Sequence, residues 1–123
     1  MKRRLGGVGV MLLVGVLLSG AFTPDDFVLD SGEDLIDLCT VDQNDPNSQA
    51  AINFCLGFAV GTYRTLVAFT KQNPVVCLPK NAPSRTEAVR MFIAWAQQNR
   101  QYHKDAPEDM VARFIVQQWP CPK

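Results

Sequence analysis

The sequence predicts an all-α fold, a small four-helix domain behind an N-terminal leader. Three observations predict it. Apolar residues recur at helical spacing in successive stretches, two Ser-x-x-acid patterns stand where such stretches begin, and polar connections carrying proline separate them.

The leader comes first. Met1-Lys2-Arg3-Arg4 is a basic start, Leu5 to Leu18 is apolar, and Ser19-Gly20-Ala21 supplies small residues before a cut. These are the parts of a secretory signal peptide over residues 1–21, with cleavage after Ala21. The alternative is an uncleaved membrane anchor, since no charge falls between Leu5 and Phe22. Gly6, Gly7, Gly9, Gly15 and Gly20 dilute that run, and Ser19-x-Ala21 suits a signal peptidase, so cleavage is the reading adopted. No cysteine follows within reach to carry a lipid. The expected mature domain, residues 22–123, is exported and free of the membrane.

Export permits cysteines to oxidise. The chain has four, with no Cys-x-x-Cys pair, and reads as two structural disulfides rather than a zinc or redox site. Loss of Lys2, Arg3 and Arg4 from the twelve basic residues leaves nine against twelve acids, a formal charge of −3. With no basic stripe and interleaved aromatics, nucleic acid is excluded as a partner, and a membrane surface is disfavoured likewise. A single domain of this size has a marginal core, so cross-links matter.

Phe22 to Asp30, with Pro24, reads as an irregular, extended lead-in. Ser31-x-x-Asp34 is a capping box, and Leu35, Ile36, Leu38 and Cys39 form one apolar face of a first helix too short to be stable undocked. Asn44-Asp45-Pro46-Asn47 marks a polar turn. The second helix, Ser48 to about Lys71, is the most apolar stretch of the mature chain and is expected to cross the centre of the domain. Ile52, Cys55, Ala59, Val60, Tyr63, Leu66 and Val67 recur along it. Gly57 and Gly61 share a face, where each costs about 1 kcal/mol relative to alanine. That expense predicts close helix packing, within the subunit in the favoured reading and between subunits in the other. A membrane span is a third reading, opposed by Asn53 and Arg64.

Asn73-Pro74 ends the second helix. Cys77-Leu78-Pro79 lies in the loop that follows. Ser84-x-x-Glu87 is the second capping box, opening a third helix to about Arg100 with Ala88, Val89, Phe92, Trp95 and Ala96 inward. After the polar connection Gln101 to Asp105, Asp105 is expected to cap a fourth helix with Pro107 in its first turn. Met110, Val111, Phe114, Ile115 and Trp119 give that helix its core face, and Pro120 stops it. Short connections make neighbouring helices antiparallel, which brings Cys39 to Cys55 and returns Cys121 to Cys77. Of three possible connectivities, Cys39–Cys55 and Cys77–Cys121 is the one expected.

Catalysis needs an activated nucleophile, paired carboxylates in unlike environments, or a metal. None is legible. His103 is the only histidine and has no second one to complete a metal site or a triad, so no enzyme activity, cofactor or metal is expected. Asp25-Asp26 and Glu33-Asp34 read as solubility and capping.

Taken together, Leu35-Ile36-Asp37-Leu38-Cys39, Cys55-Leu56-Gly57-Phe58-Ala59-Val60-Gly61, Cys77-Leu78-Pro79 and Trp119-Pro120-Cys121 resemble the motifs of the Rap/Tai immunity family. Four motifs in order, over Asp30 to Cys121, carry the resemblance. It implies a periplasmic inhibitor that binds a peptidoglycan amidase toxin delivered by type VI secretion, commonly as a homodimer, with a surface helix or loop blocking the toxin's groove. One departure stands out: where family members often have a proline near the end of the third helix, this chain has Gln98-Asn99-Arg100.

The expected contact surface is Arg100-Gln101-Tyr102-His103-Lys104, an aromatic, an amide and cations on a loop between helices; an ordinary solvated loop is the competing reading. Two other functions stay open. One is a periplasmic helical chaperone or envelope stress-response protein, and the other is an assembly subunit held at the membrane by an uncleaved leader.

Overall fold

Ser31 opens the first helix, α1 (Gly32–Cys39), as its capping pattern predicts. Its hydroxyl accepts the Asp34 backbone N–H at 3.3 Å, and the Asp34 carboxylate accepts the Ser31 N–H at 2.9 Å. The computed structural model describes residues 23–123, so the expected leader, Met1–Ala21, lies outside the described residues. Thr23 to Asp30 is more ordered than the extended lead-in expected. A 3-10 turn spans Pro24–Phe27 with a capping box between Thr23 and Asp26. Phe27 anchors it edge-on to Phe54, ring centroids 5.6 Å apart.

Three longer helices follow: α2 (Ser48–Phe69), α3 (Arg85–Gln98) and α4 (Pro107–Gln118). Ser84 caps α3 by accepting the Glu87 N–H at 3.2 Å. Pro107 occupies the first turn of α4. Asp105 is not its cap. The N-cap is Ala106, because Asp105 is held one step further out, where its carbonyl accepts the Gly32 N–H at 2.9 Å and its carboxylate faces Arg113 at 3.9 Å.

The centre of the domain also differs from expectation. α4 occupies it, with Pro107, Met110, Val111, Phe114 and Ile115 all buried. Against it pack Leu35 of α1, Phe92 and Ala96 of α3, and Val76. In α2 only Ala51 and Cys55 are buried. Apolar recurrence in α2 therefore marks a helix leaning on the core along one edge, with Val67 42% and Phe69 87% exposed. By length and composition α2 is apolar enough to cross a membrane. It nevertheless carries Asn53 and Arg64, and a disulfide ties it to α1.

Both disulfides form as the antiparallel topology requires, Cys39–Cys55 and Cys77–Cys121. The first joins the end of α1 to α2. The second fastens the loop after α2 to the chain end, where Val76 and Pro120 form a β-bridge and the Cys77 N–H donates to the Trp119 carbonyl at 2.9 Å.

Candidate functional site

The Arg100-Gln101-Tyr102-His103-Lys104 segment is built by the end of α3. Asn99 ends that helix without a proline, its side-chain amide donating to the Trp95 carbonyl at 2.8 Å. This satisfies a carbonyl that the last helical turn leaves free. The chain then makes a 3-10 turn over Arg100–Tyr102.

Three supports fix the turn. Tyr102 lies flat on Trp95, centroids 5.8 Å apart with planes 6° from parallel, and the Arg113 guanidinium lies over the Tyr102 ring at 4.3 Å from its centroid. The Trp95 indole N–H is itself held by Gln117 of α4 at 2.9 Å. His103 donates from Nε2 to the Ala96 carbonyl at 2.9 Å, which sets its tautomer, and its own carbonyl accepts the Glu33 N–H of α1 at 2.9 Å. The predicted residues thus divide into two kinds. Tyr102 and His103 are half-buried and face inward, whereas Arg100, Gln101 and Lys104 are exposed. Sequence reasoning missed the supports Trp95, Asn99 and Arg113; the aromatic pair Trp95 and Tyr102 flanking a helix end was the available signal.

Gly57 and Gly61 do not pack closely against another helix of the subunit. Among the described residues, a Cβ placed on either meets nothing within 4 Å. Both lie on the outward side of α2, so the intrasubunit packing expected for them is absent among the described residues. Close packing occurs instead at Gly32, where a Cβ would strike the Met110 side chain.

Beside that face runs an apolar groove of about 270 Å³ between α2, α3, α4 and the loop containing Leu78. Val60, Val89 and Phe92 line it, with Arg64 and Arg85 at its edges. A separate acidic recess of about 540 Å³ is lined by Asp25, Asp26, Asp34, Asp37 and Asp42. There the Ser31 hydroxyl hydrogen bond holds the Asp34 carboxyl below its ordinary value, against an opposing effect of burial and with help from the Asp30 and Ser31 N–H groups. Asp37 is pushed the other way, first by desolvation and then by Glu33 and Asp34, while His103 acts in opposition. Among the described residues, no group of three or more His, Cys, Asp or Glu side chains is placed to hold a metal ion.

A family model for the Rap1a immunity proteins matches residues 31–121. The chain belongs to the Rap1a immunity protein family. No curated protein and no solved structure matches it. The part that matches Rap1a immunity proteins begins at the Ser31 cap and ends at Cys121, so both disulfides, the groove and the Arg100–Lys104 turn fall inside it.

Proposed function

We propose that this Rap1a-family protein is a periplasmic immunity protein that binds and occludes a peptidoglycan amidase toxin delivered by type VI secretion. It acts as a plug and performs no chemistry of its own. Family membership supports the immunity role. The observation that carries the mode of action is the turn after α3, clamped by Trp95, Arg113 and Ala96 while Arg100, Gln101 and Lys104 stay exposed. A loop already fixed in one shape loses little entropy on binding, which favours affinity. Its two cations and one amide would complement a groove that presents carboxylates and carbonyls, and such electrostatic complementarity speeds the encounter.

The open glycine face of α2 supports a further element, a homodimer in which the two α2 helices approach along Gly57 and Gly61. Small residues let two helices approach closely, and no other described residue of the subunit uses that freedom.

The test is survival of bacteria that export a type VI amidase into their own periplasm. Co-export of the wild-type chain is expected to rescue growth, and an Arg100→Ala, Gln101→Ala, Lys104→Ala triple variant to fail while remaining folded. Rescue by the triple variant equal to wild type overturns the contact surface; no rescue by wild type against any such amidase overturns the function.

A further inference from the structure

The groove between α2, α3 and α4 has a chemistry that the immunity reading leaves unused. Its floor is apolar, made by Val60, Val89, Phe92, Val111 and Ile115. Its polar side chains are the guanidinium groups of Arg64 and Arg85, the Tyr63 hydroxyl and the Trp119 indole N–H. All four can donate hydrogen bonds, and only the Tyr63 oxygen can also accept. No lining residue is Asp, Glu, Asn or Gln, and none of the four donors is engaged by another group among the described residues.

A ligand that fits must therefore bring an anionic acceptor and apolar bulk. A peptide fits less well, since the Tyr63 oxygen is the one side-chain acceptor in the lining for its many backbone N–H groups. An acyl chain brings no donors at all. We propose that the groove binds a free single-chain fatty acid, its carboxylate taken by Arg64 and Arg85 and its chain laid over the apolar floor. The volume of about 270 Å³ lies just below the range for drug-sized ligand sites, roughly 300–1,000 Å³, and favours one medium-length chain over a two-chain phospholipid. Charge selects the head and the floor selects the tail, so each can be tested alone. The proposal does not depend on the toxin partner.

The test is titration calorimetry of the exported, disulfide-bonded protein with octanoate, nonanoate and decanoate below their micelle concentrations. One saturable site is expected, tightening about fourfold per added methylene until the floor is covered. Arg64→Glu with Arg85→Glu, both exposed positions, is expected to weaken decanoate by about tenfold or more with helical content unchanged. Ala88→Trp, which fills the groove without removing a charge, is expected to abolish binding. Decyltrimethylammonium is expected to bind at least about tenfold more weakly than decanoate. Absence of saturation, equal affinity for the cationic amphiphile, or indifference to the double variant overturns the proposal. So does binding confined to phosphatidylglycerol vesicles, which makes the site a bilayer contact, or confined to an acidic apolar peptide, which makes it a peptide groove.

Discussion

Tyr102 and Trp95 lie face to face, their planes 6° from parallel, and through this contact the turn after α3 is bolted to the helix it leaves. Arg113 lies over the Tyr102 ring and also reaches Asp105. The arrangement divides five residues into half-buried supports, Tyr102 and His103, and the exposed Arg100, Gln101 and Lys104. Aromatic pairs contribute about 0.5–1.5 kcal/mol beyond burial, and an exposed cation–π contact about 0.5–1 kcal/mol. Tyr102→Ala is therefore expected to destabilise the protein by about 1–2 kcal/mol in urea unfolding, with Tyr102→Phe close to wild type. Arg100→Ala and Lys104→Ala are expected to leave the unfolding midpoint unchanged.

The glycines give opposite signs. Gly57 and Gly61 face open space, so alanine at either is expected to stabilise the isolated subunit by up to about 1 kcal/mol through helix propensity alone. Gly32→Ala drives a methyl into Met110 and is expected to destabilise by about 1–3 kcal/mol. Thermal unfolding reads both. If the α2 face joins two subunits, Gly57→Leu is expected to shift the light-scattering mass from dimer to monomer.

The two disulfides differ in the length of chain they close. Cys39 and Cys55 are 16 residues apart, and Cys77 and Cys121 are 44 apart. By loop entropy the first is worth about 3 kcal/mol and the second about 4 kcal/mol. Paired Cys→Ala variants are expected to rank in that order by denaturant midpoint, the Cys77/Cys121 variant being the weaker protein.

Asp34 and Asp37 respond to pH with opposite sign. The Ser31 hydrogen bond depresses Asp34, so its contribution is present above the ordinary carboxylate range and is lost as pH falls through the lowered value. Ser31→Ala is expected to remove about 1 kcal/mol at neutral pH. Asp37 is raised, so it favours the fold below the ordinary range, and that benefit disappears as pH rises through the raised value. Asp37 is solvent-exposed, which keeps the effect small. Asp37→Asn is expected to gain about 0.5 kcal/mol at pH 7 by removing repulsion from Glu33 and Asp34, with the gain vanishing in acid.

Local signals were legible in the sequence and neighbourhoods were not. Ser31 and Asp34 announce their cap because both partners lie within one turn of chain. The disulfide pairing was legible because four short-linked helices leave few ways for Cys121 to return. The position of α2 was not: Ile52 and Val67 have the residue type of a core and the exposure of a surface, and periodicity reports only the type. Asp105 looked like a cap because it precedes Pro107, yet its carbonyl is claimed by Gly32 of a distant helix. Within the candidate surface, the sequence placed Arg100 to Lys104 between helices but could not divide them into supports and exposed groups. That division rests on Trp95 and Arg113, which approach from two different helices.

The proposed immunity function requires a rigid, cross-linked helical body to silence an amidase by occupying its groove. Its most direct measurement is hydrolysis of purified peptidoglycan by a type VI amidase that the growth-rescue test selects, titrated with the oxidised protein. Hydrolysis is expected to fall linearly and to reach background at equimolar protein. Hydrolysis that continues undiminished in large molar excess, with both disulfides intact, contradicts it.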